Sequence, residues 1–340
     1  MNPETAPPAT PPAKLTHQVD PLPRSRLHWF IHEVLLRFVM VWILIIVMIV
    51  ANAYYPGFFE WGNIKNILSQ NAPVGLVAIG MTFVIICGGF DLSVGAIVAF
   101  GSVLYAGFSN HMSLELAFLL TVLIGLGCGA ANGIIVTVFR INAFVGTLAT
   151  AALFTGAAYL YSNSGPVLSS NPGFTSFGSN SWLGLPIVVW VLAFAFVVGG
   201  VLLAGSVYGR SIFTVGGNYE AARLSGIRVR WTRGSTYLLT GLCAIVAGMM
   251  ISSKIGVGQP EISGDITLDS IAIVIIGGTS LLGGEGALWR TIVGLLILAT
   301  INNLFDSLAL NTAAQSIVKG AIVLLAVGVD SYTRRARGLA

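Results

Sequence analysis

Long apolar runs, each interrupted by only a few polar residues, succeed one another from about residue 36 to residue 331. Most approach the ~20 residues that a helix needs to cross a hydrocarbon core. Ten candidate spans follow, at 36–55, 67–87, 91–109, 114–138, 143–162, 183–205, 235–253, 269–283, 291–308 and 313–331. The runs do not alternate apolar and polar positions, which argues against a barrel. The pattern predicts an all-α polytopic membrane protein of about ten transmembrane helices.

Two interruptions are too tight for ordinary hairpins. Residues 72–108 must supply two crossings with only Gly88-Gly89-Phe90-Asp91 between them. Residues 269–308 carry Gly277-Gly278, Gly283-Gly284 and Gly286, and the eighth span is short. Short, glycine-interrupted segments in both halves point to discontinuous helices near a substrate path. The strings VIICGGFDLSVG (84–95) and VIIGGTSLLGG (274–284) are alike. Two pseudo-symmetric halves would explain this; coincidence between Gly- and Ile-rich strings is the alternative.

Composition agrees with the pattern. Only 9% of the residues are charged and 55% are hydrophobic, too little polar surface for a soluble fold of 340 residues. The 41 glycines suit close helix packing in lipid. Residues 1–28 are polar and Pro-rich and lack the apolar stretch of a signal peptide. The chain thus divides into a disordered cytoplasmic tail (1–34), a transmembrane domain (35–331) and a cytoplasmic tail (332–340).

Charge orients the spans. With ten crossings, Lys14, Arg24, Arg26, Arg37, Arg140, Arg210, Arg223, Arg228, Arg230, Arg233, Arg290, Arg334, Arg335 and Arg337 share one side. Lys65 and Lys254 fall opposite, and Lys319 lies within the last span. Fourteen against two places both termini in the cytoplasm by the positive-inside rule. The uncharged loop 163–182 is then external, lying on the outer surface or meeting a partner there.

No engine is visible. The chain has no GxxxxGK[ST], HExxH or GxSxG motif, and His17, His28, His32 and His111 form no cluster. Cys87, Cys128 and Cys243 lie in apolar spans and read as small buried hydrophobes. Charges inside the spans are few, Asp91, Asp306 and Lys319, which argues against an ion-coupled carrier.

The polar island YGRSIFTVGGNYEAARLSGI (208–227) interrupts this background, inside a loop at 206–234. Asn218 can cap a helix beginning at Tyr219, and Gly226 can end it in a left-handed turn. Glu220 favours the helix dipole, Arg223 stands on the same side, and Ala221 and Ala222 leave a smooth face for a groove. A helix resting on lipid headgroups is the alternative. Asp91 either holds a hinge or caps a helix starting at Leu92 beside Ser93. Asn132 lies among Gly125, Gly129 and Gly133 in a close-packing ladder, and an amide there is more often helix glue than a ligand. Asn303 and Gln315 read the same way. Lys319 reads as a snorkelling or paired cation.

Glu220-Ala221-Ala222, followed four residues later by Gly226, resembles the EAA…G loop of ABC-transporter permeases. Over 66–331 the chain resembles the ribose/xylose-type sugar permeases of bacterial ABC importers. The carrying motifs are GLVAIGMTFVIICGGFDLSVGAIVA (75–99), NGIIVTVFRINAFVGTLAT (132–150), GGNYEAARLSGI (216–227), IGGTSLLGGEGALWRTIVGLLI (276–297) and AAQSIVKGAIVLLAV (313–327). Departures are Asn142-Ala143 where the family carries proline, Glu285 where a basic residue is common, and Asn302-Asn303-Leu304-Phe305 for Asn-Asn-Gly-Leu.

The resemblance implies a permease of the bacterial inner membrane that is not itself an enzyme. It implies no cofactor in this chain, ATP and Mg being bound by a separate ATPase. The implied partners are that ATPase, an extracytoplasmic sugar-binding protein, a second permease copy and the bilayer, with no nucleic acid. Gly217, Asn218, Glu220, Ala221, Ala222, Arg223 and Gly226 would form the ATPase-coupling element. Gly88, Gly89, Asp91, Ser93, Asn132, Gly277, Gly278, Asn303 and Gln315 are candidates for a hinge or translocation path. Another solute (a nucleoside, a signalling furanose or an amino acid) and a self-powered carrier are the alternatives.

Overall fold

A computed structural model describes residues 38–262 and 265–336, and the predicted tail at 1–34 lies outside them. Each of the ten candidate spans overlaps one helix, the eighth only in part, since its helix ends at Ile276 rather than at 283. These are α1 (Val39–Tyr54), α2 (Trp61–Ile86), α3 (Val94–Phe108), α4 (Leu114–Thr137), α5 (Ala143–Tyr161) and α7 (Ile187–Gly200), which ends in a π-turn at Val201–Gly205. After α7 come α10 (Val229–Ile255), α11 (Ile266–Ile276), α12 (Leu288–Ser307) and α13 (Thr312–Ala336). The short helices α6 (Ser176–Ser179), α8 (Val207–Gly217) and α9 (Tyr219–Leu224) lie between them. Six helical segments among the described residues are long and apolar enough to cross a membrane: α2, α4, α5, α7 with its π-turn, α10 and α12. α1, α3 and α11 are shorter apolar helices. α13 runs to Ala336, past the predicted boundary at 331.

The core lies around α2 and α10. From Asn71 to Ile86 every residue of α2 is buried, and α10 packs on α2, α3 and α4. In lipid, apolar surface gives little reason for one helix to seek another, so close backbone approach must do that work. α4 and α10 meet through Gly125, Gly129, Gly133, Gly234 and Gly241. A methyl at Gly133 would stand 2.8 Å from the Gly234 carbonyl oxygen, and one at Gly241 2.5 Å from that of Gly125. Outward faces are the reverse: Ile46, Ile49, Leu123, Leu153, Leu160, Phe194 and Val197 are all exposed. A band of exposed large apolar side chains is what a lipid-facing surface requires.

α11 has 11 residues, roughly half the length of a full crossing. Gln259 donates its amide to Ser102 Oγ at 3.0 Å, and Gly95 donates its own to Thr267 Oγ1 at 3.1 Å. Gln259 and Thr267, the latter already in the first turn of α11, therefore both lie beside α3.

The two ends of the bundle differ. At one end the segment 163–186 folds down onto the helices. β1 (Val167–Leu168) pairs antiparallel with β4 (Val257–Gly258), and β2 (Ser181–Trp182) with β3 (Leu185–Pro186). Phe174 is buried, and Ser253 Oγ donates to its carbonyl at 2.6 Å. The segment thus packs on the helices at this end. At the other end gather the α4–α5 connection, α8, α9 and the two glycine-rich breaks.

Candidate functional site

α9 forms as its sequence specifies. The Asn218 side chain accepts the Ala221 amide at 2.9 Å, closing the N-terminus. Gly226, at φ +81°, donates to the Arg223 carbonyl, and Ile227 donates to that of Ala222, each at 3.1 Å. This paired closure needs a left-handed residue, which glycine supplies without strain. Arg223 and Glu220 form an exposed ion pair at 2.9 Å. One expectation is corrected: Ala222 is completely buried against its own chain, so it anchors the knob and cannot enter a partner's groove. Tyr219, Glu220, Ala221, Arg223 and Leu224 are the exposed residues.

The two glycine breaks are built alike. After α2, Gly88 donates to the Ile85 carbonyl and Gly89 to that of Val84, both at 2.9 Å. After α11, Gly278 donates to Ile275 at 2.7 Å and Thr279 to Val274 at 3.1 Å. Gly88 and Gly278 have φ of +76° and +81°. An arginine then donates to the carbonyl of each left-handed glycine: Arg233 Nη2 to Gly88 at 3.1 Å and Arg290 Nη1 to Gly278 at 3.4 Å. The likeness of the two strings is thus a shared capping geometry.

The breaks also touch. The amide of Gly284 donates to the Ile86 carbonyl at 2.8 Å. α8 ends against both: a methyl on Gly216 would overlap the Ile86 carbonyl oxygen and stand 2.7 Å from the Gly284 nitrogen. Gly217 follows, and then Asn218, the cap of α9. Three backbone segments therefore meet in a clasp one residue before the exposed knob. Gly216 and Gly284, Arg233 and Arg290 were absent from the expected site. The signal for the glycines was their density in two motifs, while the arginines read only as inside charges.

Asp91 is buried and accepts from Ser93 twice, from its amide at 2.9 Å and its hydroxyl at 2.6 Å. The capping expectation is corrected in detail, because α3 begins at Val94 and Asp91 closes the turn before it. Asn132 Nδ2 lies 2.7 Å from Ser93 Oγ and 3.4 Å from both Asp91 oxygens, and Thr150 donates to Asn132 Oδ1 at 2.6 Å. Thr147 Oγ1 accepts the Leu92 amide at 3.0 Å. The first break is thus pinned to α4 and α5.

The structure brings Gly88, Gly89, Asp91, Ser93, Asn132, Gly277 and Gly278 to this end of the bundle, but not Asn303 and Gln315. Asn303 forms a reciprocal amide pair with Asn63, at 2.9 and 3.2 Å. Gln315 donates to the Leu310 carbonyl at 3.0 Å, beyond the far end of α12. Asn303 thus links α12 to α2, whereas the bonds of Gln315 stay within the α12–α13 connection. Lys319 pairs with Asp269 at 3.2 Å. Cys87 and Cys128 are buried free thiols, and Cys243 is half-buried.

A family model described as branched-chain amino acid transport system / permease component matches residues 63–327. The ribose import permease protein RbsC of Bacillus subtilis is 39% identical over 290 residues, covering 84% of this chain and 90% of that protein. RbsC of Escherichia coli K12 is 36% identical over 296 residues, 85% and 91% of the two chains. The L-arabinose transport system permease protein AraH of Escherichia coli K12 is 34% identical over 298 residues, 86% and 89%. No solved structure matches. The chain belongs to this family of transport-system permease components and is a multi-pass membrane permease.

Proposed function

We propose that the chain is the membrane-spanning subunit of an ATP-driven importer for a monosaccharide, delivered by a soluble binding protein. The observation that carries this reading is the clasp. An exposed, separately capped knob stands one residue from the point where both broken helices meet, so force on α9 reaches them directly. The sugar specificity rests on the relatives named as ribose and L-arabinose permeases. An ATPase, binding ATP and Mg itself, would seat on Tyr219, Glu220, Ala221, Arg223 and Leu224, with Gly217, Asn218, Ala222 and Gly226 shaping the knob. The binding protein would meet the opposite end, over 163–186, and a second permease copy would complete the pathway.

The arginine-bearing end is then the cytoplasmic one, since Arg140, Arg210, Arg223, Arg228, Arg230, Arg233 and Arg290 all belong to segments there. Gly88, Gly89, Gly277 and Gly278 act as hinges, and Asp91, Ser93 and Asn132 hold the first of them in register. The family description favours a second reading, an amino acid as cargo. Proteoliposomes containing the permease, its ATPase and binding protein test both. Uptake of ribose or arabinose that needs ATP and the ATPase supports the proposal. Uptake by the permease alone under an ion gradient, or of amino acids only, contradicts it.

A further inference from the structure

Between α9 and the end of α4 lies a cavity of about 850 Å³. Arg140, Arg223, Arg230 and Arg233 line it, with Glu220 as the one carboxylate among the described residues of its wall. Four guanidinium groups against one carboxylate leave a surplus of three positive charges. Glu220 is already paired with Arg223. Arg233 donates to Gly88, and its buried Nε has no partner among the described residues. Arg140 is held at φ +58°, a conformation that non-glycine residues seldom adopt.

The rim is apolar where the charge is not. Ile141 and Phe144 line the cavity and are exposed, with Val138 and Phe139 exposed just before Arg140. Trp231, 67% exposed, stands beside Arg230. Arginine, tryptophan and exposed apolar groups at helix ends are the pattern of a membrane interface. The guanidinium fork matches phosphate oxygens in geometry, and basic pockets between transmembrane helices hold anionic headgroups. The volume is that of a small-ligand site.

We propose that this cavity binds the phosphate of an anionic phospholipid, with its acyl chains lying along Phe139, Ile141 and Phe144. Phosphate could equally come from a soluble ester, and the exposed apolar rim is what selects the lipid. Tyr219, Glu220 and Arg223 belong to both this cavity and the ATPase seat, so the bound lipid would form one edge of that seat, bracing α9 against α4 and neutralising the arginines beside the first break.

Native mass spectrometry of the full chain, with phosphatidylglycerol, phosphatidylcholine or glycerol phosphate added, tests this. The expected result is retention of phosphatidylglycerol alone, falling at least fivefold in an Arg140→Gln/Arg230→Gln variant and recovering in Arg140→Lys/Arg230→Lys. Equal retention of the two lipids, equal retention by the wild type and the Gln variant, or binding of glycerol phosphate as tight as that of the lipid overturns the proposal. A measurement without substitutions guards against misfolding. Phosphatidylglycerol should raise the Tm of the unaltered chain above its value in phosphatidylcholine, and an unchanged Tm also overturns the proposal.

Discussion

The amide of Gly284 donates to the carbonyl of Ile86 at 2.8 Å, joining two breaks separated by nearly two hundred residues of chain. A helix C-terminus leaves carbonyl groups without intrahelical partners. Here a second break satisfies one of them, and Gly216 closes over the junction. A Cβ on Gly216 would overlap the Ile86 carbonyl, and one on Gly284 would stand 2.7 Å from Gly217 Cα, so glycine at both positions lets the segments close.

Gly216 and Gly217 should therefore respond differently to alanine. At Gly216 the added methyl overlaps the Ile86 carbonyl, whereas at Gly217 the nearest atom is Gly284 Cα at 4.0 Å. Gly216→Ala is expected to lower uptake at least tenfold with normal membrane levels. Gly217→Ala should stay within about twofold. Transport assays on membrane vesicles, normalised to permease content, check the contrast.

The knob should matter for docking more than for folding. The Glu220–Arg223 pair is more than 60% exposed on both sides, and such helix pairs contribute only roughly 0.3–0.5 kcal/mol. Glu220→Lys should leave insertion intact yet abolish uptake and ATPase pull-down. Gly226→Pro should do the same, because proline cannot reach φ +81° and has no amide to donate to Arg223.

The pinning of the first break has a stability signature. Asn132→Leu removes the amide that contacts Asp91 and Ser93 and leaves Thr150 only its longer bond to the Thr147 carbonyl, at 3.1 Å. Loss of partners for buried polar groups predicts a cost of about 2–3 kcal/mol, read as a lower Tm in detergent. Thr147→Ser keeps the hydroxyl that accepts the Leu92 amide and should be nearly neutral.

Lys319 and Asp269 are each only about 15% exposed at the side chain. Breaking such a pair from one side leaves a largely desolvated charge, costing about 3 kcal/mol, whereas replacing both with apolar residues is often neutral. Lys319→Met and Asp269→Leu should each lower the Tm, and the double variant should recover most of it. Additive losses in this double-mutant cycle would contradict the pairing.

How much of this was legible in the sequence differs by element. The ten helices were, because each is a long local apolar run. The closure of α9 was too, since Asn218 and Gly226 act within one turn. Ala222 was misjudged because Ala221 and Ala222 look identical in sequence, and only the packing of α9 decides which faces inward. The clasp was hidden because it joins backbone atoms of distant segments, and glycine density announces close approach without naming the partner. Arg233 and Arg290 were read as orientation signals for a related reason: a carbonyl acceptor leaves no mark in the sequence.

Motion of α9 should open the junction of the two breaks. Pulsed electron–electron spin distances test it most directly. Nitroxide labels at Gly217→Cys and Leu282→Cys, with Cys87, Cys128 and Cys243 replaced by alanine, would report the separation in proteoliposomes containing the ATPase. The distance distribution should shift beyond the spread of the labels when ATP is added, and return after hydrolysis. An unchanged distribution in a preparation that transports solute would contradict it.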